Sequence, residues 1–252
     1  MTYSSTEILN KAQKKIVAHN NGPALVIAGA GSGKTRVITH RVAQLIQSGV
    51  PASSILLLTF TNKAADEMTQ RVGRTINNST DQNKIIHGTF HSVGNRFLRQ
   101  HAKLLDYKNN FSILDTSDSK EMIKASIAET IGKPGKSFPK AAVLQNLFSL
   151  AFNRNGSQDI ILSVPYNKRN FHLDQLIFSD YPHFEEYLET IIKVLVIYRK
   201  KKKRGQVMDF DDLLENWLEL LLVHGDELPL CRQIKYVLVD EYQDTNKVQA
   251  EI

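Results

Sequence analysis

Residues Ala24–Thr35 read ALVIAGAGSGKT, and Lys34–Gln47 follows as KTRVITHRVAQLIQ. The order of residue types in this stretch decides the fold class. Ala24–Ala28 is a short apolar run of the length of a buried strand. Gly29–Gly33 places three glycines in five positions and so reads as a turn. From Lys34 to Gln47 the apolar residues recur with helical spacing. Strand, glycine-rich turn and helix in that succession open a parallel α/β sheet.

The turn carries its own chemistry. Gly29, Gly31 and Gly33 allow backbone N–H groups to converge on phosphate oxygens with no Cβ in the way. Ala28, Ala30 and Ser32 complete the loop. The helix N-terminus adds the positive end of its dipole. Lys34 is of a length to reach β- and γ-phosphates, and the Thr35 hydroxyl can ligate Mg²⁺. The strict pattern has Gly where Ala28 stands, and Ala is nearly as small. A nucleotide-phosphate site is therefore expected here.

Working outward, Ile55–Phe60 (ILLLTF), Lys84–Gly88 (KIIHG) and Tyr236–Asp240 (YVLVD) read as further strands. Helices are expected over Thr6–His19, from an Asn62 cap to Ile76, and from a Thr89 cap to Leu104. The texture changes after Asn110. A short strand, FSILD, precedes an Asp118/Glu121 capping box. Helices follow over Lys120–Ile131, Lys140–Asn153 and Pro182–Lys203, separated by the polar loops NRNGSQD and SVPYNKRN. Asp209–His224 is another helix. The domain reading is a first α/β part over 1–109, a mostly helical insertion over 110–200, and a second α/β part over 201–252.

The last strand ends on acids: YVLVDEYQDTN spans Tyr236–Asn246. A carboxylate there can hold Mg²⁺, directly or through water, and its neighbour can orient or deprotonate a water. Asp240 takes the first role and Glu241 the second. Gln243 and Asp244 are either extra ligands or polar loop residues.

Composition excludes several classes. Hydrophobic residues make up 42% and charged residues 23%, which rules out a disordered or collagen-like chain. Lys and Arg outnumber Asp and Glu by 32 to 26. All of that excess matches the six positive charges of Arg199–Arg204 (RKKKKR), so the rest of the chain is neutral in sum. A single cysteine, Cys231, cannot form an internal disulfide or a four-cysteine zinc site, and its use fits a reducing compartment, the cytoplasm. No run approaches the roughly 18 apolar residues of a membrane helix. No partner in a membrane is expected, and the residues set no oligomeric state.

Four further segments carry a resemblance. LNKAQKKIV (Leu9–Val17) lies before the first strand, TFTNKAADEM (Thr59–Met68) follows the second, GTFHS (Gly88–Ser92) follows the third, and DFDDLL (Asp209–Leu214) precedes the acidic strand. With AGAGSGKT and DEYQDTN, this order resembles superfamily 1 DNA helicases of the UvrD/Rep/PcrA type. The short insertion is more similar to UvrD/Rep than to the RecB or AddA branch. The resemblance implies an incomplete RecA-like P-loop NTPase sheet with an inserted helical subdomain, ATP and Mg²⁺ as cofactors, and a motor moving 3′-to-5′ on single-stranded DNA toward single-strand/duplex junctions. By motif position, Gln13 would read the adenine edge and Arg36 would flank the nucleotide. Phe60, Thr61, Asn62 and Lys63 would lie along the DNA, as would Thr89, Phe90 and His91. Two other readings stay open: the motor part of a helicase-nuclease or defence subunit, and a nucleotide- or DNA-binding module without turnover.

Asp209, Asp211 and Asp212 read as structural acids at a helix start. The RKKKKR run encircles its helix; it is a solvated surface, a DNA-backbone contact or a nuclear-import signal. The sequence stops about one turn into a helix that begins near Asn246, which suggests the N-terminal part of a longer protein. In RecA-like cores the following segment adds a strand between the phosphate-loop strand and the acidic strand. Two sheet edges would be left unpaired without it, and the isolated chain would be poorly stable and would not unwind DNA.

Overall fold

The computed structural model describes residues 9–19, 22–76, 79–155 and 172–252. It divides into two compact units, residues 1–93 with 226–244, and residues 94–225 with 245–252.

In the first unit a three-stranded parallel sheet has the order β2–β1–β5, formed by β1 (Ile55–Thr59), β2 (Ile86–Thr89) and β5 (Tyr236–Val239). β1 is buried at all five positions, as expected of a central parallel strand with no solvent face. The helices here are α1 (Lys11–Val17), α2 (Lys34–Gln47), α3 (Asn62–Ile76), the single turn α4 (Ser79–Gln82) and α11 (Pro229–Gln233). α2 and α3 pack on each other, and Val42, Leu45, Met68 and Val72 meet Ile55 and Leu57 in one core. The spacing of Ala65, Met68 and Val72 on α3 supplies the apolar stripe that this packing needs.

Two expectations are corrected here. Ala24–Ala28 belongs to no strand: Leu25 is 70% and Ile27 90% exposed. An apolar run becomes a strand only where a neighbouring edge takes up its N–H and C=O groups. β5 is the last strand of its sheet, its outer edge carries no partner among the described residues, and Val237 is 57% exposed there. The cap of α3 is Thr61, whose hydroxyl accepts from the Ala64 N–H at 3.1 Å; Asn62 is already the first residue of the helix.

The second unit is mostly helical. It contains α6 (Thr116–Ile131), α7 (Ala141–Asn155), α8 (Leu173–Asp180), α9 (Leu188–Gly205), α10 (Phe210–His224) and α12 (Lys247–Glu251), with a two-stranded parallel pair of β3 (Ser112–Ile113) and β4 (Val207–Met208). α5 (Phe90–His101) begins in the first unit and continues into the second. The expected helix from Pro182 starts as a 3-10 turn and becomes α-helical at Leu188. The Asp118/Glu121 capping box is not formed. Asp115 caps α6 instead, accepting from Ser117 and Asp118 N–H at 2.7 and 2.8 Å. Trp217 is 1% exposed and packs 5.4 Å from Phe97, and a Cβ on Gly94 would come within 2.8 Å of its ring. The polar loops beyond Asn155 fall outside the described residues.

The basic run of α9 is neither a uniform surface nor a uniform contact strip. Arg199 and Lys202, three apart on one face, are 2% and 3% exposed. Arg199 pairs with Glu215, its Nη1 donating at 3.1 Å, and Lys202 Nζ lies 2.5 Å from Asp209 and 2.7 Å from Asp212. Asp209 also caps α10 in a reciprocal box with Asp212. Asp209 and Asp212 therefore take structural roles, with Lys202 of the basic run as their shared cation. Lys203 bonds the Leu105 carbonyl and stacks its ammonium 3.8 Å above Tyr107, while Lys200 and Arg204 face solvent.

Candidate nucleotide-binding site

Between the exposed segment 24–28 and α2, the loop turns through two left-handed glycines, Gly31 at φ 73° and Gly33 at φ 85°. Such angles cost an L-residue about 1–2 kcal/mol, so the glycines are conformationally required. Gly33 is the N-cap of α2 and offers no side chain to its first N–H groups, which stay available to an anion. Lys34 Nζ donates to the Ala28 carbonyl at 3.3 Å, closing the loop on itself. Ala28, Gly29, Ala30, Gly31 and Ser32 are exposed; Gly33, Lys34 and Thr35 are half-buried.

The acidic strand reaches the same point. Thr35 Oγ1 donates to Asp240 Oδ2 at 3.3 Å. Asp240 is 6% exposed at the end of β5 and accepts from the Glu241 N–H at 3.1 Å through its other oxygen. Burial, together with the neighbouring Glu241 charge, raises the Asp240 carboxyl above its ordinary range, against the pull of Thr35 and Lys34. Glu241 is held at φ 54° and its carboxylate accepts from Gln243. A left-handed non-glycine residue is a strained conformation of the kind that gathers at functional sites. Asp244 lies in a 3-10 turn and donates its N–H to the Glu241 carbonyl.

Gln13 reaches the loop from α1, its Nε2 donating to the Ser32 carbonyl at 3.0 Å. Sequence reasoning gave Gln13 a base-reading role and missed this contact, which no spacing rule signals. Arg36 is exposed on the first turn of α2.

The chain belongs to the UvrD/REP helicase family. Its sequence matches the UvrD/REP helicase N-terminal domain over residues 9–252. It is 35% identical over 99% of its length to the ATP-dependent DNA helicase PcrA of Bacillus subtilis (strain 168), and 36% identical over 98% to PcrA of Leuconostoc citreum. It is 32% identical over 96% to the ATP-dependent DNA helicase UvrD1 of Mycobacterium leprae. It spans 29–31% of the length of these relatives.

The residues expected along DNA separate into two kinds within this UvrD/REP domain. Phe60 is 39% exposed just beyond β1, and Thr61, Asn62 and Lys63 are exposed beside it. Thr89 caps α5 in a reciprocal pair of bonds with Ser92. Phe90 is 3% exposed and buried in the core, so its ring is not presented to a base. His91 is half-buried, and desolvation lowers its imidazole below the usual value, favouring the neutral ring. No described helix is long and apolar enough to cross a membrane. No group of three or more His, Cys, Asp or Glu among the described residues forms a metal cage.

Proposed function

We propose that this chain is the N-terminal ATP-binding part of an ATP-dependent DNA helicase that translocates on single-stranded DNA, 3′-to-5′, and opens duplex at single-strand/duplex junctions. The observation that carries the reading is the Thr35–Asp240 contact, which unites the phosphate loop and the acidic strand end. The names of the relatives support ATP use and a DNA substrate. Repair and replication are the processes such a motor serves.

ATP would lie with its phosphates on the N–H groups of Gly29–Lys34 and the Lys34 ammonium, its base toward Gln13, and Arg36 at its flank. Thr35 Oγ1 and Asp240 Oδ2 are two neighbouring hard oxygen donors that would hold Mg²⁺. Bound there, Mg²⁺ would neutralise charge developing on the transferring phosphoryl group. Glu241 aligns the attacking water and accepts its proton. Lys34 stabilises the same charge from the loop side.

Phe60 offers a base-stacking face worth about 1–3 kcal/mol. Lys63 contacts backbone phosphate, and Thr61, Asn62 and Thr89 line the path with His91. The buried position of Phe90 supports a core role for that ring.

Binding without unwinding is the reading for this chain alone: among the described residues the outer edge of β5 has no partner, and Leu25–Ile27 lies exposed. A strand laid between them, as in RecA-like cores, would complete the sheet. The test is fluorescence anisotropy of a labelled single-stranded oligonucleotide against salt. Binding should weaken with rising salt, Phe60→Ala should weaken it, and Lys63→Ala should lower the salt slope by about one. Salt-independent binding, or none, would refute the DNA path.

A further inference from the structure

The Gln13 side chain divides its amide between two backbone groups. Oε1 accepts from the Asn10 N–H at 3.0 Å, closing the capping box of α1. Nε2 donates to the Ser32 carbonyl at 3.0 Å, nineteen residues along the chain. A trans peptide sets its C=O and the following N–H on opposite sides. Tying down the Ser32 oxygen therefore fixes the Gly33 N–H pointing away from Gln13. Gly33 is seated against the same amide: a Cβ there would stand 3.0 Å from Gln13 Nε2, at a φ of 85°.

We propose that Gln13 is a positioning residue for the phosphate loop, orienting the Ser32–Gly33 peptide before any nucleotide arrives. The proposal rests on the nucleotide reading of that loop. It adds to base reading rather than replacing it, because Oε1 retains a second lone pair and Nε2 a second hydrogen. One amide then links base recognition to the shape of the anion cradle.

A ligand with no base separates the two roles. Calorimetric titration of magnesium tripolyphosphate and of Mg·ATP would be run on the unaltered chain, Gln13→Ala and Asn10→Ala. Gln13→Ala should weaken tripolyphosphate binding about 3- to 10-fold, the worth of one neutral hydrogen bond. Asn10→Ala removes the α1 cap but leaves the Gln13–Ser32 bond, and should leave tripolyphosphate affinity unchanged. Unchanged tripolyphosphate affinity in Gln13→Ala, with only ATP weakened, overturns the proposal and leaves a base reader. Equal loss in Asn10→Ala also overturns it, tracing the effect to α1 stability. A flat titration of the unaltered chain with both ligands removes the phosphate-site reading itself, and is distinct from either result.

Discussion

The Thr35 hydroxyl donates to Asp240 Oδ2 at 3.3 Å across a sequence separation of 205 residues. The loop and the acidic strand end thus meet in the folded chain. The bond also explains how Asp240 is tolerated at 6% exposure: Thr35 and the Glu241 N–H each satisfy one of its oxygens.

Asp240→Asn should separate stability from ligand response. The folded carboxyl has its pKa raised by burial and by Glu241, so its ionised form opposes folding, and that opposition grows as pH rises above the unfolded value. Asparagine removes the charge and keeps both contacts: Oδ1 still accepts from the Glu241 N–H, and Nδ2 donates to the Thr35 hydroxyl, which can accept as well as donate. The ligand-free variant should melt higher at pH 8, by about 2–4 °C for each ~1 kcal/mol recovered. It should lose the additional stabilisation that Mg²⁺ gives with ATP. A lower melting point in the ligand-free variant would contradict this.

Gly33→Ala and Gly29→Ala should differ sharply. The first places a Cβ at φ 85° against Gln13 and should cost about 1–2 kcal/mol of stability. Gly29 has open space around it and no left-handed angle, so its replacement should leave the melting midpoint nearly unchanged. Thermal scans of the two variants side by side make the comparison.

Within RKKKKR, neighbouring lysines should behave differently. Lys202→Met leaves the half-buried Asp209 and the buried Asp212 without their shared cation and should destabilise by about 3–5 kcal/mol. Lys200→Ala, on the exposed side, should change stability by less than about 0.5 kcal/mol. Urea midpoints would show it, and equal effects at the two positions would contradict the inward-facing arrangement.

Asp211 should impose a pH dependence of its own. Burial first, and then the Asp209 charge, push its pKa up to about 7. An acid with a folded pKa above its unfolded one binds the proton more tightly in the folded chain. Stability therefore falls as pH rises from about 4 to 7. Asp211→Asn should gain on the unaltered chain across that window and hold a constant advantage above it. A difference that does not vary with pH would contradict this assignment.

The sequence was most legible where local chemistry and packing agree. α2 and α3 occupy the residues their periodicity marked, and Thr89 caps α5 as expected. Residues 24–28 read as a strand on apolarity alone, but a strand also needs a pairing partner, and this segment does not pair with the outer edge of β5. Asn62 reads as a cap, but the helix boundary lies one residue earlier and Thr61 takes that place. The acids of DFDDLL were legible as structural, but their partners were not. Only the fold brings Lys202 to Asp209 and Asp212. The Gln13–Ser32 bond was hidden for the same reason.

The most direct test is the affinity of the chain for Mg·ATP, measured beside Lys34→Ala. Saturable binding that weakens about tenfold or more in the variant is the predicted result, in keeping with the loss of charge-assisted bonds to phosphate. Equal affinity in the two proteins, or no saturable binding by the unaltered chain, would contradict the assignment of Ala28–Thr35 as the nucleotide site.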